Sequence, residues 1–133
     1  MTKKPKANII FIVEDNAAYG KLLGEFFKNK FPDISAIKIF PSGESCLMEL
    51  YQNPVVVVMD HLLNSIQSDA ATGLSTIKKI KTASPDTNVI LLSAQTEFDV
   101  VSKSIIKYGC TYVQKDEQAF SKVEELVKGF LKS

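Results

Sequence analysis

The sequence has few of the residues from which many functional sites are built. Its 133 residues include no tryptophan, one histidine and two cysteines. Cys46 and Cys110 show no Cys-x-x-Cys or cysteine–histidine spacing, so we expect buried, reduced thiols of an intracellular protein. The histidine, His61, has no second histidine with which to bind a metal ion, which disfavours a metal or phosphohistidine role for it.

An excess of charge and long apolar runs are also missing. The net charge is +1 and the pI about 7.7, so the field of the whole molecule favours neither nucleic acid nor an anionic membrane. The apolar run Ile9–Val13 ends at Glu14 and is too short for a signal peptide or a membrane span. We therefore expect a cytoplasmic protein without membrane contact, with a basic tail over residues 1–7 and one domain over residues 8–133.

The sequence does contain a regular alternation of short apolar runs and amphipathic segments. The apolar runs predict five strands: NIIFIVED, ISAIKIF, VVVVMD, NVILLSA and CTYVQK. Segments with apolar residues at helical spacing predict five helices: YGKLLGEFFKNK, PSGESCLMELYQ, GLSTIKKIKTASP, EFDVVSKSIIKYG and EQAFSKVEELVKGFLKS. Such an alternation implies βαβ units and a parallel sheet.

The apolar stripes of these helices predict which side chains face the core. They are Tyr19, Leu22, Leu23, Phe26, Leu47, Leu50 and Tyr51 in the first two helices, and Phe120, Val123, Leu126, Val127 and Phe130 in the last. Ser42 is a candidate N-cap of the second helix. Gly109 is suited to the position just after the end of the fourth helix.

The polarity of the strands predicts their order in the sheet. The first, third and fourth strands are apolar on both faces, as in central strands covered by helices on both sides. The second strand carries Lys38 and the fifth carries Gln114, which suits edge positions. The predicted fold class is therefore α/β, a flavodoxin-like doubly wound five-stranded parallel sheet of order 2-1-3-4-5 with five helices. In such folds ligands bind at the carboxyl ends of the strands.

Polar residues end the predicted strands at that edge of the sheet. Glu14 and Asp15 follow the first strand, Asp60 the third, Ser93 the fourth and Lys115 the fifth. Three carboxylates in one crevice repel each other unless a cation lies among them, and hard oxygen ligands suit Mg²⁺. A metal ion, a lysine and a hydroxyl are also what a phosphoryl group needs. Asp60 is therefore a candidate nucleophile.

This arrangement resembles the receiver domain of two-component response regulators, the CheY-like domain, over essentially the whole chain. The resemblance implies that Asp60 accepts a phosphoryl group from a sensor histidine kinase or a phosphotransfer protein in a Mg²⁺-dependent reaction. It implies that Glu14, Asp15 and Asp60 hold the Mg²⁺ together with the backbone carbonyl of Leu62. The protein would then be a signalling switch that catalyses only its own phosphorylation and dephosphorylation.

The resemblance also assigns the residues that respond to phosphorylation. Ser93 and Lys115 would contact the phosphoryl group, and Ser93 and Tyr112 would move with the switch. The movement would change the surface formed by the fourth helix, fifth strand and fifth helix, where a partner protein or a second copy in a homodimer would bind. No nucleic-acid contact is expected within these residues. The cognate kinase, and whether an effector domain follows residue 133, stay open.

The sequence departs from the family pattern in two places. The segment HLLNSIQSDAATG, residues 61–73, predicts a loop longer than is usual and without proline, in which Gly73 matches the family's glycine. Asp116 follows Lys115 where the family usually has a proline in a cis peptide. Because a cis bond before another residue costs about 2.5–4 kcal/mol, we expect a trans peptide here, and the reach of Lys115 is then in question.

Two other function classes share a feature with this sequence. One uses a carboxylate at a strand end, and the other has a flavodoxin-like fold. Mg²⁺-dependent phosphatases of the haloacid dehalogenase type carry a DxDx[TV] motif. The corresponding residues here, Asp60-His61-Leu62, lack the second acid. A flavodoxin-like flavin or nucleotide binder needs a phosphate loop rich in glycine or hydroxyl groups after the first strand. The sequence VEDNAAYG places acids there, so both alternatives are weaker.

Overall fold

The computed structural model describes residues 8–61, 68–93 and 109–132, with the backbone alone for 61 and 68–74. Its strands are β1 (Ile9–Val13), β2 (Ala36–Phe40), β3 (Val56–His61), β4 (Asn88–Ser93) and β5 (Thr111–Gln114). They form one parallel sheet in the order β2-β1-β3-β4-β5. The predicted fold class and strand order are therefore confirmed.

Four helices are seen in the described part of the chain: α1 (Ala17–Lys30), α2 (Gly43–Met48), α3 (Ser68–Ala83) and a C-terminal helix (Ala119–Lys132). The helix predicted over residues 97–109 lies outside the described residues except for Gly109. That glycine has a φ of 70°, a left-handed conformation that glycine adopts readily. Among the helices described, none has the length and apolarity to cross a bilayer.

Both faces of the sheet are buried, because successive side chains of a strand point to opposite faces. One face packs on α1 and the C-terminal helix through residues such as Ile10, Val58, Leu23, Phe27 and Val123. The other packs on α2 and α3 through Phe11, Val57, Met59, Cys46 and Ile77.

Cys46 and Cys110 are free and buried, as expected, and burial raises the pKa of the Cys46 thiol to about 12.

The buried stripe of α1 differs from the predicted one. Leu22 was expected to face the core but is 58% exposed, and the helix buries Gly20 and Gly24. A Cβ atom at these glycines would lie 3.2 and 3.3 Å from the Ile39 side chain of β2. Because neither residue has a side chain, α1 packs closely on β2 along its glycine face, and Leu22 is turned to the surface.

The end of the second helix also corrects a prediction. Ser42 is its N-cap and accepts a hydrogen bond from the Ser45 N–H, as expected. The α-helix ends at Met48, however, and a 3₁₀ turn (Leu50–Gln52) follows. The tighter turn has three residues per turn, so Leu50 is buried while Tyr51, predicted to be on the core side, is 77% exposed.

The third helix begins earlier than the sequence indicated. Residues 61–73 were predicted to be a loop, but α3 starts at Ser68 and includes Gly73. Ser68 and Asp69 are residue types that favour helix starts, and Ala70 and Ala71 are strong helix formers. The predicted loop is therefore shorter than the sequence indicated.

Contact between α2 and α3 leaves no room for a side chain at residue 43. A Cβ atom added to Gly43 would lie 2.5 Å from Oγ1 and 2.8 Å from Cγ2 of Thr76, a buried residue of α3. Since a β-branched side chain on a helix has little rotamer freedom, Gly43→Ala is expected to lower the free energy of unfolding by about 1–3 kcal/mol. Urea denaturation followed by far-UV circular dichroism measures this change in stability. Circular dichroism is used because the chain has no tryptophan whose fluorescence would report unfolding.

Gly129→Ala is the matched control for this substitution. A Cβ atom there, on the exposed face of the C-terminal helix, meets nothing within 4 Å. The alanine is expected to raise the free energy of unfolding by about 0.5–1 kcal/mol through its better helix propensity. If Gly43→Ala were as stable as the wild type, the close packing of α2 on α3 would be wrong.

Candidate functional site

The three predicted acidic residues meet at the carboxyl edge of the sheet. β1 lies beside β3 with Val13 opposite Met59, so the residues that follow, Glu14 and Asp15, come next to Asp60. Each of the three offers one carboxylate oxygen, and these oxygens all lie within 4.8 Å of one another. The convergence expected from parallel strands is therefore present in the structure.

Two of these carboxylates are almost completely buried. The side chains of Glu14 and Asp60 are 1% and 2% exposed, whereas Asp15 is exposed. Among the described residues, Glu14 Oε1 and Asp60 Oδ1 find no hydrogen-bond partner. Burial, and then the neighbouring Asp60 carboxyl, raise the pKa of Glu14 to about 8. The site therefore holds unsatisfied acceptor oxygens that a proton or a cation would satisfy.

Lys115 partly balances this negative charge. Its Nζ atom lies 2.6 Å from Asp60 Oδ2 and 3.6 Å from Glu14 Oε1. The same atom lies 4.0 Å from the centroid of the Tyr19 ring. The Lys115 side chain is 19% exposed, so one ammonium serves two buried carboxylates and an aromatic face.

Asp116 does not prevent Lys115 from reaching the site. The described residues contain no cis peptide bond, so the Lys115–Asp116 bond is trans, as expected. The Asp116 carboxylate accepts a hydrogen bond from the Gln118 N–H at 2.9 Å, and its carbonyl accepts one from the Ala119 N–H at 3.1 Å. Asp116 therefore supports the turn into the C-terminal helix.

Asn16 and Tyr19 help to build the site, although the sequence pattern did not assign them to it. Asn16 is the N-cap of α1: its side chain accepts from the Tyr19 N–H, and its own N–H donates to Glu14 Oε2 at 2.9 Å. An asparagine before two alanines is a recognisable N-cap, and this signal would have placed Tyr19 in the first turn, beside the strand ends.

Ser93 and Tyr112 lie at the neighbouring strand ends. Ser93 is fully buried and stands opposite His61 in the sheet. Its carbonyl accepts hydrogen bonds from the Lys115 N–H at 2.7 Å and the Tyr112 hydroxyl at 3.4 Å. Burial, and then the Asp116 charge, raise the pKa of Tyr112. Leu62, predicted as a backbone ligand, lies outside the described residues.

The donor set fits a hard divalent cation. It consists of carboxylate oxygens and includes no sulfur or nitrogen ligand among the described residues. Glu14 Oε1 and Asp60 Oδ1 are buried without a hydrogen-bond partner. Such oxygens suit Mg²⁺ or a similar ion and disfavour zinc or copper. The exposed Asp15 and the buried pair together form an acidic cluster open on one side, so a bound ion would keep room for water or a ligand oxygen.

Comparison with known proteins gives one family and one fold. The family described as the response regulator receiver domain matches residues 10–128. The signal receiver domain of a DNA-binding response regulator (merR) from Colwellia psychrerythraea 34H is 26% identical, with a TM-score of 0.75 over 95% of this chain and 99% of that chain. A CheY-like receiver domain protein from Methanospirillum hungatei JF-1 is 14% identical with a TM-score of 0.74, over 94% of each chain, and shows the fold alone.

A third similar structure is DrrB of Thermotoga maritima. Its BeF3-activated receiver domain is 26% identical, with a TM-score of 0.71 over 94% of this chain and 97% of that chain. In the structure of DrrB described as an OmpR/PhoB homologue, the same comparison covers 52% of that chain. Among curated proteins, none matches the chain significantly.

Proposed function

Since the chain belongs to the response regulator receiver domain family, we propose that it is a phosphorylation switch in which Asp60 accepts the phosphoryl group. One observation carries this proposal. The buried Asp60 carboxylate has one oxygen held by Lys115 at 2.6 Å and the other buried without a hydrogen-bond partner, in a cluster with the carboxylates of Glu14 and Asp15. A nucleophilic carboxylate between a lysine and a cation site is arranged for phosphoryl transfer.

The donor in this proposal is a phosphohistidine of a sensor histidine kinase or of a phosphotransfer protein. An Asp60 oxygen attacks the phosphorus, a new O–P bond forms, and the P–N bond breaks with its electron pair passing to the imidazole nitrogen. Water later attacks the phosphorus, which releases inorganic phosphate and restores the carboxylate. The chain thus catalyses only its own phosphorylation and dephosphorylation.

Glu14, Asp15 and Asp60 would hold a Mg²⁺ ion, with the backbone carbonyl of Leu62 as the proposed fourth protein ligand. When bound, Mg²⁺ neutralises charge on the transferring phosphoryl oxygens. The unpartnered oxygens of Glu14 and Asp60 support this assignment, because an ion among them would relieve both. Asn16 keeps the Glu14 carboxylate in place through its N–H.

Lys115, Ser93 and Tyr112 would read the phosphorylated state. The Lys115 ammonium exchanges the Asp60 carboxylate for a phosphoryl oxygen, and the Ser93 hydroxyl bonds a second one. Tyr112 follows Ser93, whose carbonyl its hydroxyl already contacts. These movements would reshape the surface formed by the segment before Gly109, β5 and the C-terminal helix.

A groove on that surface supports its use as a docking site. It has a volume of about 330 Å³ and runs between β5 and the C-terminal helix. Its lining residues are Thr111, Tyr112, Val113, Lys122, Glu125 and Leu126. Because Tyr112 belongs both to the groove and to the proposed switch, a partner protein or a second copy bound here would sense the state of Asp60. We place this exchange in the cytoplasm, with residues 1–7 as a tail and 8–133 as the receiver domain.

Intact mass spectrometry tests the proposed function. The wild type, incubated with Mg²⁺ and acetyl phosphate or phosphoramidate, is expected to gain one phosphoryl group, and Asp60→Asn is expected to gain none. Asp86→Asn is the matched control, because Asp86 is exposed in the turn before β4, at the opposite edge of the sheet. It should be phosphorylated like the wild type.

Three results would count against parts of this proposal. A phosphoryl group on Asp60→Asn at the wild-type rate would place the acceptor elsewhere. Failure of the wild type to gain one with either donor, under conditions in which Mg²⁺ binding is detected, would show that Asp60 is not an acceptor. Equal labelling in EDTA would remove Mg²⁺ from the reaction.

A further inference from the structure

The Tyr19 ring lies directly against the candidate site although the residue belongs to α1. Its backbone N–H donates to Asn16 Oδ1 at 3.0 Å, which fixes the first turn of the helix beside the end of β1. From there the ring covers the Lys115 ammonium, with 4.0 Å between Nζ and the ring centroid. This distance is well inside the range of a cation–π interaction, which is strongest where water is partly excluded.

The ring contacts one aromatic residue of the C-terminal helix, which in turn contacts a second aromatic residue of α1. Tyr19 packs edge-on against Phe120, with 5.8 Å between ring centroids and an interplanar angle of 73°. Phe120 in turn packs on Phe26, with centroids 4.9 Å apart. Because Phe120 belongs to the C-terminal helix, the Tyr19 ring of α1 packs against a second helix, and this packing restricts the positions of the surface that it offers to Lys115.

Lys115 needs such a surface because its side chain is long and flexible. Its backbone is anchored by the hydrogen bond to the Ser93 carbonyl at 2.7 Å, but the torsions beyond Cα are free unless contacts restrict them. In the unmodified protein the Asp60 and Glu14 carboxylates attract the ammonium from one side. Once Asp60 carries a phosphoryl group, the shortest of these contacts is altered because the Asp60 carboxylate is no longer a simple anion. The contact with the Tyr19 ring does not involve the modified group.

We propose that Tyr19 is a positioning residue: its ring holds the Lys115 ammonium at the reacting oxygens of Asp60 before and during phosphoryl transfer. This inference rests on the proposed function for its kinetic consequence, whereas the position of the ammonium over the ring is a property of the unmodified protein. The aromatic face carries the effect, and the hydroxyl is dispensable. Tyr19 touches neither the phosphorus nor the donor and acts through Lys115.

The test compares Tyr19→Phe, which keeps the ring, with Tyr19→Leu, which removes it. In the unmodified, metal-free protein the Lys115 Hε signals are expected to be shifted upfield by the ring current in the wild type and in Tyr19→Phe, and to lose that shift in Tyr19→Leu. The Lys115 signals are identified by their absence from the spectrum of Lys115→Met. This readout reports the position of the ammonium without any phosphorylation.

Phosphorylation kinetics supply the second readout. With phosphoramidate and Mg²⁺, Tyr19→Phe is expected to react within about twofold of the wild type, and Tyr19→Leu about tenfold more slowly. Tyr51→Leu is the control, because Tyr51 is 77% exposed, and its rate should be that of the wild type. Rates are compared at a temperature at which circular dichroism shows every variant folded, so that a loss of structure is not read as a loss of positioning.

The outcomes distinguish the positioning role of Tyr19 from the proposed phosphorylation of Asp60. An upfield shift that depends on the ring, together with a slow Tyr19→Leu variant, supports the inference. Absence of the shift in the wild type, an unchanged rate for Tyr19→Leu, or a Tyr19→Phe variant as slow as Tyr19→Leu would overturn it. If the shift is present but the wild type takes up no phosphoryl group, the proposed function fails while the position of Lys115 over Tyr19 is upheld.

Discussion

Lys115→Met is expected to lower the free energy of unfolding of the metal-free protein by about 3 kcal/mol at pH 8, because a buried ion pair would lose one partner. The substitution keeps an apolar stem of similar length but removes the ammonium that lies 2.6 Å from Asp60 and 3.6 Å from Glu14. Two carboxylates, 2% and 1% exposed, would then face each other without a cation.

Urea denaturation followed by far-UV circular dichroism at pH 8, with EDTA and with Mg²⁺, measures this effect. Mg²⁺ should restore a large part of the loss, because an ion that binds only the folded state stabilises it. Lys128→Met is the control: the exposed Lys128 pairs with Glu124 four residues earlier in the C-terminal helix, and helix pairs at this spacing contribute only about 0.3–0.5 kcal/mol. Equal losses for the two lysines would mean that Lys115 is not paired as described.

Glu14→Gln is expected to have the opposite effect on the metal-free protein and to stabilise it at pH 8. The pKa of Glu14 is raised from 4.5 to about 8 in the folded state, so the unfolded chain loses this proton first as the pH rises. The stability linked to Glu14 is therefore fully present below pH 4.5 and is lost progressively as the pH rises to about 8. One proton corresponds to a slope of at most about 1.4 kcal/mol per pH unit.

Glutamine removes this titration and adds a donor. Its amide N–H₂ can take the place of Glu14 Oε1 and donate to Asp60 Oδ1, which satisfies two atoms that have no partner in the wild type. The other amide atom can still accept from the Asn16 N–H. We therefore expect the variant to show a flatter dependence of stability on pH between 5 and 8, and to gain less stability from Mg²⁺ because one charged ligand is lost.

Unfolding in EDTA at pH 5, 6.5 and 8 tests this expectation, with Glu25→Gln on the exposed side of α1 as the control. Glu25→Gln should follow the pH dependence of the wild type. A Glu14→Gln variant that loses stability between pH 5 and 8 as steeply as the wild type would show that another group is responsible. A variant less stable than the wild type at pH 8 would contradict the repulsion between Glu14 and Asp60.

The sheet and its acidic edge were predictable because they depend on patterns that few alternatives share. Three apolar strands without a polar face require helices on both sides, and this requirement alone makes them central. Once their direction is common, Glu14 and Asp60 must meet. The positions of the five strands along the chain followed from the same apolar runs, and the strands begin and end within one or two residues of the predicted ones.

The predictions of core residues were wrong where packing overrides helical periodicity. Leu22 and Tyr51 had the spacing of core residues, but two glycines on the other face of α1 and a 3₁₀ turn after α2 moved them to the surface. Tyr19 was predicted to be a core residue like its neighbours. Its contact with Lys115 joins residues from opposite ends of the chain, and no local pattern contains that information.

The order of the strands has a consequence for folding kinetics. β1 and β3 are neighbours in the sheet, but α1, β2 and α2 lie between them in sequence, and Lys115 and Asp60 are 55 residues apart. Such non-local contacts make folding slow, and the acidic cluster is complete only after these distant segments have docked. Interactions that form late in folding act mainly on the unfolding rate. The charge state of the cluster should therefore govern how long the native state persists, and much less how quickly it is reached.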